Sequence, residues 1–228
     1  MRPKDLTISF EWKSPKIGIE EAIFFANLVE GWESFSFPGW RDPLVFGNDR
    51  PVKIEFCSGN GAWIAERARR FPDINWVALE KRFVRVRKIW SKRQNGELDN
   101  LFTICGEALF STSCYLPSLS VSEAFINFPD PWPKKKHAKY RLIRQPFLQE
   151  LWRVLGPSGR VTVVTDHSGY SEQIVQEFAE HRGFMPLFQP FGYITDWPEY
   201  GDSYFNALWR GQGAEIRYMQ FEKRPFLR

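Results

Sequence analysis

An acidic residue between two prolines is the feature of this sequence best suited to chemistry. The stretch from Asn127 to Lys134 reads Asn-Phe-Pro-Asp-Pro-Trp-Pro-Lys and overlaps an apolar run, Val121 to Phe128, that predicts a buried strand. Proline cannot donate a ladder hydrogen bond, so Pro129 ends the strand and leaves Asp130 at its carboxyl end. Ligands bind at that edge of open α/β sheets. A solvated aspartate in a proline turn is the alternative interpretation.

A loop with two glycines follows an earlier apolar run, residues 52–57, which predicts another strand. Its pattern is Glu55-x-Cys57-x-Gly59-x-Gly61, and a helical stretch comes directly after it. Missing side chains let backbone approach a ligand, and a helix N-terminus favours anionic groups. The spacing differs from G-x-G-x-x-G, which weakens a nicotinamide-dinucleotide interpretation.

Glu80 ends the next predicted strand, residues 76–80, and lies nineteen positions after Gly61. An acid at this place accepts hydrogen bonds from the ribose hydroxyls of nucleotides bound to such sheets. A solvated glutamate at a strand end is the alternative. The glycine loop upstream favours the ribose role.

Short apolar runs alternate with helical stretches from Val52 onward, which predicts β-α-β units and a parallel sheet. A late segment alternates polar and apolar residues as an edge strand would. The further predicted strands are 102–105, 125–128 (within the run 121–128), 160–165 and 214–221, and the further predicted helices are 140–155 and 171–182.

Residues 1–50 are rich in aromatic side chains and show no such alternation before Pro51. We interpret them as an N-terminal extension packed on a core domain of residues 51–228, because aromatic side chains bury large areas. A separate binding arm is the alternative.

The composition is that of one main globular domain, with 228 residues, 43% apolar and 25% charged. Three cysteines without CxxC spacing suggest neither a disulfide framework nor a zinc site, and we expect no metal. No apolar run has the length that a membrane span needs and no signal peptide is visible, so a cytoplasmic protein is expected. The net charge of +4 is too small by itself to indicate a nucleic-acid partner.

The glycine loop together with Glu80 resembles the class I S-adenosylmethionine-dependent methyltransferases. The segment F-P-D-P-W-P-K-K-K-H after the fourth strand is similar to that of the tRNA (guanine-N7-)-methyltransferase family, the TrmB-like enzymes. The resemblance covers roughly residues 50 to 224. It continues in Thr165-Asp166-His167, in Ser203-Tyr204-Phe205-Asn206 and in Gly213.

This resemblance implies an α/β fold with a Rossmann-like class I methyltransferase sheet, mostly parallel with an antiparallel late strand, and helices on both faces. It implies an enzyme that transfers a methyl group from S-adenosyl-L-methionine to N7 of a guanine in tRNA, as a monomer or homodimer. The alternative is an RNA-binding protein on the same fold with reduced or lost activity.

The resemblance also implies roles for single residues. Those matching cofactor-binding positions are Glu55, Gly59, Gly61, Glu80, Glu107 and Asp130. Those matching substrate-binding positions are Lys134, Asp166, Ser203 and Asn206. Three residues depart from the family: Cys57 replaces a glycine, Ser203 a threonine and Asn206 a glutamate. The last change removes a charge from the expected site.

The expected reaction needs no general base, because guanine N7 already carries an available lone pair and requires only in-line placement of the methyl donor. Asp130 is the catalytic candidate, since a carboxylate can accept hydrogen bonds from guanine N1 and N2 or stabilise the developing positive charge. Trp132 is either a positioning plane or a core residue. The three histidines form no nucleophile or metal group, and His181 is expected to be solvated.

Charge suggests where RNA binds. Five cations lie just beyond Asp130, and we expect phosphate contacts from Lys135, Lys136, Lys139 and Arg141 beside the substrate position Lys134. A second basic cluster has helical spacing that cannot place every cation on one face, so RNA contact and a solvated helix both remain open there. Its members are Lys81, Arg82, Arg85, Arg87, Lys88, Lys92 and Arg93.

Overall fold

The computed structural model describes residues 1–11, 14, 16–26, 32–201 and 204–224, without the side chains of Lys135, Tyr204 and Phe205. The chain forms two compact units, Met1–Pro117 and Ser118–Arg228.

The first unit contains a sheet in the order β1-β2-β5-β4-β3, in which only β1 runs antiparallel to its neighbour. Its strands are β1 (Gly18–Glu20), β2 (Ile23–Ala26), β3 (Val52–Phe56), β4 (Asn75–Glu80) and β5 (Leu101–Gly106). Its helices are α1 (Ala62–Arg70), α2 (Phe83–Gly96) and α3 (Ala108–Tyr115). The strands predicted at 52–57, 76–80 and 102–105 are confirmed within one residue at each end.

Strands β1 and β2 were not predicted, because they are too short for periodicity to identify them. All four residues of β2 are buried, and this strand pairs in parallel with β5. Phe24 stacks on Phe35 at 5.2 Å and meets the Tyr115 ring edge-on at 5.0 Å. Aromatic side chains of the N-terminal segment are therefore part of this unit's apolar core.

The second unit contains a sheet in the order β6-β7-β9-β8. Strands β6 and β7 are parallel, whereas β9 is antiparallel to both β7 and β8. Its strands are β6 (Val121–Asn127), β7 (Leu155–Thr165), β8 (Phe184–Pro186) and β9 (Arg217–Lys223). Its helices are α4 (Gln145–Val154), α5 (Ser168–Glu180) and α6 (Tyr204–Gly211). The late antiparallel strand is confirmed. The three-residue β8 covers its outer side, so it is not an edge strand.

Helix α4 begins five residues later than predicted. Residues Lys135–Tyr140 form a 3-10 helix. Pro146 lies in the first turn of α4, where a proline is tolerated because an N–H group at that place would have no partner within the helix. Helix α5 starts three residues early because the His167 Nδ1 accepts a hydrogen bond from the Tyr170 N–H at 3.1 Å and caps it.

Candidate functional site

Three acidic side chains gather at one edge of the first unit's sheet. Strands β3, β4 and β5 are parallel neighbours, so their carboxyl ends share that edge. Glu55 lies inside β3 with 2% of its surface exposed, Glu80 is the last residue of β4, and the exposed Glu107 follows β5. The first unit therefore brings together the predicted cofactor acids that it contains.

Glu80 is held by the backbone on both sides of its carboxylate. Its Oε2 accepts a hydrogen bond from the Gly59 N–H at 3.0 Å, and its Oε1 accepts one from the Arg82 N–H at 2.8 Å. Arg85 Nη1 lies 3.6 Å from Oε2. Each carboxylate oxygen can accept more than one hydrogen bond, so Glu80 keeps acceptor capacity for a ligand's hydroxyl groups.

The two loop glycines serve different purposes. Gly59 has φ of +57° and faces open space, because a Cβ there would meet nothing closer than the Cys57 carbonyl oxygen at 3.9 Å. Gly61 has φ of +71° at the start of α1, and a Cβ there would lie 2.6 Å from Ile89 Cγ1 of α2. Gly59 thus leaves room for a ligand, whereas Gly61 lets two helices approach.

Glu107 and Cys105 flank the end of β5. The Glu107 Oε2 accepts a hydrogen bond from the Phe110 N–H at 2.7 Å and caps α3, so this acid already has a structural task. Burial, together with the carboxylate of Glu80 on the neighbouring strand, raises the pKa of the Cys105 thiol to about 12. Cys105 is therefore a neutral packing residue at physiological pH and not a nucleophile.

Asp130 and Asp166 lie at one edge of the second unit's sheet. Asp130 follows β6 and Asp166 follows the parallel strand β7, in the register that pairs Asn127 with Val164. The Phe128 N–H donates to the Val164 carbonyl at 2.8 Å, which fixes the exit from β6. Asp130 is exposed and Asp166 is half-buried, so both are accessible to a ligand at this edge.

The cations of the basic run beyond Asp130 differ in exposure and in hydrogen bonding. Lys134, Lys136 and Lys139 are exposed. The Arg141 guanidinium is half-buried and donates from Nε to the Pro131 carbonyl at 2.7 Å. The side chain of Lys135 is outside the part of the chain that is described.

Trp132 is half-buried. This burial is intermediate between the two interpretations that the sequence left open, an accessible positioning plane and a core residue. Its ring centroid lies 5.4 Å from that of Tyr140 and 5.9 Å from that of His137. It therefore packs against His137 and Tyr140 of the 3-10 helix Lys135–Tyr140.

Asn206 is buried, with 2% of its surface exposed, in α6. Its Nδ2 donates to the Tyr218 hydroxyl at 2.7 Å, and Arg210 Nη2 donates to the same oxygen at 3.1 Å. These contacts join α6 to β9 and give Asn206 a structural role, in addition to the predicted substrate role. Ser203 lies outside the described residues.

The prediction that His181 is solvated is wrong. Its side chain is 7% exposed at the C-terminal end of α5, and its Nδ1 accepts a hydrogen bond from the Gly183 N–H at 3.2 Å. Burial lowers the pKa of His181. Sequence pattern alone could not show this, because the ring is covered by Phe184 of the unpredicted strand β8, at a centroid distance of 5.2 Å.

Arg217 is a candidate that sequence reasoning missed. The antiparallel pairing of Thr165 with Arg217 places this cation beside the strand end that carries Asp166. Its guanidinium lies 4.5 Å from the ring centroid of Tyr193, and its Nη1 donates to the Ser171 hydroxyl at 2.8 Å. The sequence could have indicated this residue as a cation at the start of a late strand. The predicted strand began at residue 214, three residues before β9, so Arg217 was not at its start.

The described residues support neither a metal centre nor a membrane-spanning helix. No group of three or more His, Cys, Asp or Glu side chains there could hold a metal ion. No helix in the same part of the chain has the length and apolar character needed to cross a membrane.

The fold is that of the class I methyltransferases. The structure is similar to that of the 16S rRNA methyltransferase KamB, with a TM-score of 0.59 and 16% identity over 79% of this chain and 91% of that one. A family described as "putative methyltransferase" matches residues 49–190.

Relatives that match along their whole length show which family of methyltransferases this is. The tRNA (guanine-N(7)-)-methyltransferase of Chlamydia muridarum is 40% identical over 98% of this chain and 99% of its own. The Chlamydia caviae enzyme of the same name is 37% identical over the same shares. This chain belongs to the tRNA (guanine-N7)-methyltransferase family.

Proposed function

We propose that this protein transfers a methyl group from S-adenosyl-L-methionine to N7 of a guanine in tRNA. The observation that carries the proposal is the pair Asp130 and Asp166 at one sheet edge, with exposed cations in the segment after Asp130, in a chain of this family. We also place the protein in the cytoplasm, because its three cysteines carry free thiols that suit a reducing compartment.

The cofactor site would be built on the first unit. Glu80 has acceptor capacity for both ribose hydroxyls, and Gly59 leaves open space beside it. Glu107 has a second carboxylate oxygen beyond the one that caps α3. These residues fit a nucleoside with vicinal hydroxyl groups, and S-adenosyl-L-methionine, when bound, supplies an electrophilic methyl group on a sulfonium.

The guanine would be oriented by the second unit. Asp130 is exposed and bears acceptors that can engage the N1–H and N2–H groups of guanine, which leaves N7 free to attack. No proton leaves N7 in this reaction, so no base is needed. The imidazole Nδ1 atoms of His167 and His181 accept hydrogen bonds from the backbone N–H groups of Tyr170 and Gly183.

The tRNA backbone would contact the exposed cations after Asp130. Lys134, Lys136 and Lys139 are exposed on the same segment as the catalytic candidate. Lys139 Nζ lies 5.2 Å from the Tyr140 ring centroid, and Tyr140 is 57% exposed. Cations beside an accessible aromatic ring suit RNA, which offers both phosphates and unstacked bases.

The test is transfer of a tritiated methyl group to unmodified tRNA, followed by mapping of the modified base. We expect label at guanine N7, and a loss of roughly a hundredfold or more in Asp130→Asn, in line with the removal of one positioned transition-state interaction. Calorimetry with tRNA and cofactor accompanies the assay. Tight binding of both without any transfer would favour the alternative, an RNA-binding protein that has lost activity.

A further inference from the structure

Arg141 is the last cation of the basic run, yet its guanidinium is already engaged on three sides. Nε donates to the Pro131 carbonyl at 2.7 Å, and Nη1 donates to Gln173 Oε1. The guanidinium also lies 4.8 Å from the ring centroid of the fully buried Tyr170. An RNA phosphate would have to compete with these contacts, because the planar fork is already oriented by them.

The segment that Arg141 holds has an unfavourable backbone conformation. Phe128 has φ of +49° and Trp132 has φ of +42°, and these non-glycine residues lie on either side of Asp130. Such conformations persist where the surrounding structure over-determines them. The hydrogen bond from Phe128 to Val164 holds the first, and the bond from Arg141 to Pro131, directly before Trp132, holds the second.

One face of α5 anchors this arrangement. Tyr170, Gln173 and Glu177 follow one another at helical spacing, and each contacts the stretch from Arg141 to Gln145. The Tyr170 hydroxyl accepts from the Ile143 N–H at 3.2 Å, and the Glu177 carbonyl accepts from Gln145 Nε2 at 2.8 Å. Helix α5 itself starts two residues after Asp166, so one rigid element links both candidate acids.

We propose that Arg141 is a positioning residue that fixes the Asp130–Trp132 backbone against α5, and not a phosphate contact. This inference rests on the proposed function for its catalytic consequence. It deepens that function by separating the basic run into cations that meet RNA and one cation that shapes the site. It also gives Gln173, an uncharged residue outside the run, a part in the same task.

The primary test is amide hydrogen exchange on the free protein, which needs neither tRNA nor cofactor. Arg141→Met keeps the aliphatic stem but removes the fork, and we expect exchange between Trp132 and Tyr140 to become about tenfold faster or more. Gln173→Leu should accelerate the same amides without changing the charge of the run. Lys139→Ala is the control for loss of a charge, and it should leave the rates of the amides before residue 139 unchanged. Arg141→Lys keeps the charge without the fork and serves if Arg141→Met does not fold.

Methyl transfer and tRNA binding supply the second readout. Arg141→Met and Gln173→Leu should lower kcat about tenfold or more and leave the salt dependence of tRNA affinity unchanged. Lys139→Ala should flatten that dependence by roughly 0.7 to 0.9. Unchanged exchange in Arg141→Met, with a salt slope flattened as in Lys139→Ala, would overturn the inference and make Arg141 an RNA contact. A wild-type protein without transfer activity would contradict only the proposed function, since the exchange data would still report positioning.

Discussion

Cys57 has a backbone conformation that normally favours glycine. It stands where the family resemblance places a glycine, and its φ is +58°, in the left-handed region that side chains disfavour. The neighbouring Gly59 has nearly the same φ, +57°. The backbone of this loop therefore keeps the glycine conformation although the side chain has changed.

We expect Cys57→Gly to be more stable than Cys57→Ala by about 1 kcal/mol, because both variants lose the thiol and only alanine retains a Cβ in the left-handed region. Urea unfolding of the two variants measures the difference. Equal midpoints and slopes would mean that the backbone relaxes without cost and that Cys57 is unstrained.

Glu80 carries the sharpest test of the cofactor site. Because it is buried and would lose charge-assisted hydrogen bonds to both ribose hydroxyls, Glu80→Ala should weaken S-adenosyl-L-methionine binding by about 2 kcal/mol or more, roughly 30-fold in Kd. Calorimetry measures this. Glu80→Gln is the matched control, since it keeps the volume and one acceptor and should bind with intermediate affinity.

The structure adds a complication that the sequence did not show. Glu80 also receives the Gly59 and Arg82 backbone N–H groups, so the alanine variant loosens two loops as well as the ligand contact. Circular dichroism and the unfolding midpoint of each variant must accompany the calorimetry. A folded Glu80→Ala protein with wild-type affinity would remove the ribose role.

Among the secondary-structure elements, α2 and the residues before it carry the second basic cluster, and the structure separates its exposed cations from those that are half-buried or bonded. Four of its seven cations are half-buried or bonded within the first unit: Arg85, Arg87, Lys92 and Arg93. The other three, Lys81, Arg82 and Lys88, are exposed. Burial, and to a smaller extent the nearby Lys88, lowers the pKa of Lys92.

If this segment contacts tRNA, we expect the contacts to come mainly from Lys81, Arg82 and Lys88, because these cations are exposed. Replacing Lys81, Arg82 and Lys88 by alanine should then weaken tRNA binding and flatten its salt dependence by roughly 0.7 to 0.9 for each phosphate that is no longer neutralised. The control replaces Arg69, Arg70 and Arg182, exposed cations near the C-terminal ends of α1 and α5. Equal effects of the two triple variants would show that only net charge matters and that α2 is a solvated helix.

At the scale of the whole molecule, His181 contributes to the pH dependence of unfolding. Burial lowers its pKa in the folded state below the ordinary value of about 6.5, so below that pH the unfolded chain binds a proton that the folded chain resists. Its contribution to stability is therefore complete above pH 6.5 and is lost as the pH falls toward the lowered pKa.

We expect the free energy of unfolding to fall less between pH 7.5 and pH 5.5 in His181→Asn than in the wild type. Asparagine keeps an acceptor for the Gly183 N–H and does not titrate, so the difference isolates protonation of the ring. Urea unfolding at both pH values measures it. The same loss of stability in both proteins would show that His181 is protonated without cost in the folded state.

Sequence patterns alone predicted β3, β4, β5, β6, β7 and β9, together with the strand ends that carry Glu80, Asp130 and Asp166. Those features depend on local signals: hydrophobic periodicity, glycines after a strand and prolines that end one. The same local signals supported the resemblance to the family, which the relatives confirm. The roles of the single site residues remain predictions.

Which side chains are already engaged depends on tertiary contacts that the sequence did not predict. Arg141 was grouped with the RNA-binding lysines because it is adjacent to them in sequence, but Gln173, thirty-two residues away, holds its guanidinium. Asn206 is likewise held by Tyr218 of β9, and His181 is covered by a strand too short to predict. Burial and hydrogen-bond partners depend on residues distant in sequence, and the periodicity of a single segment contains no information about them.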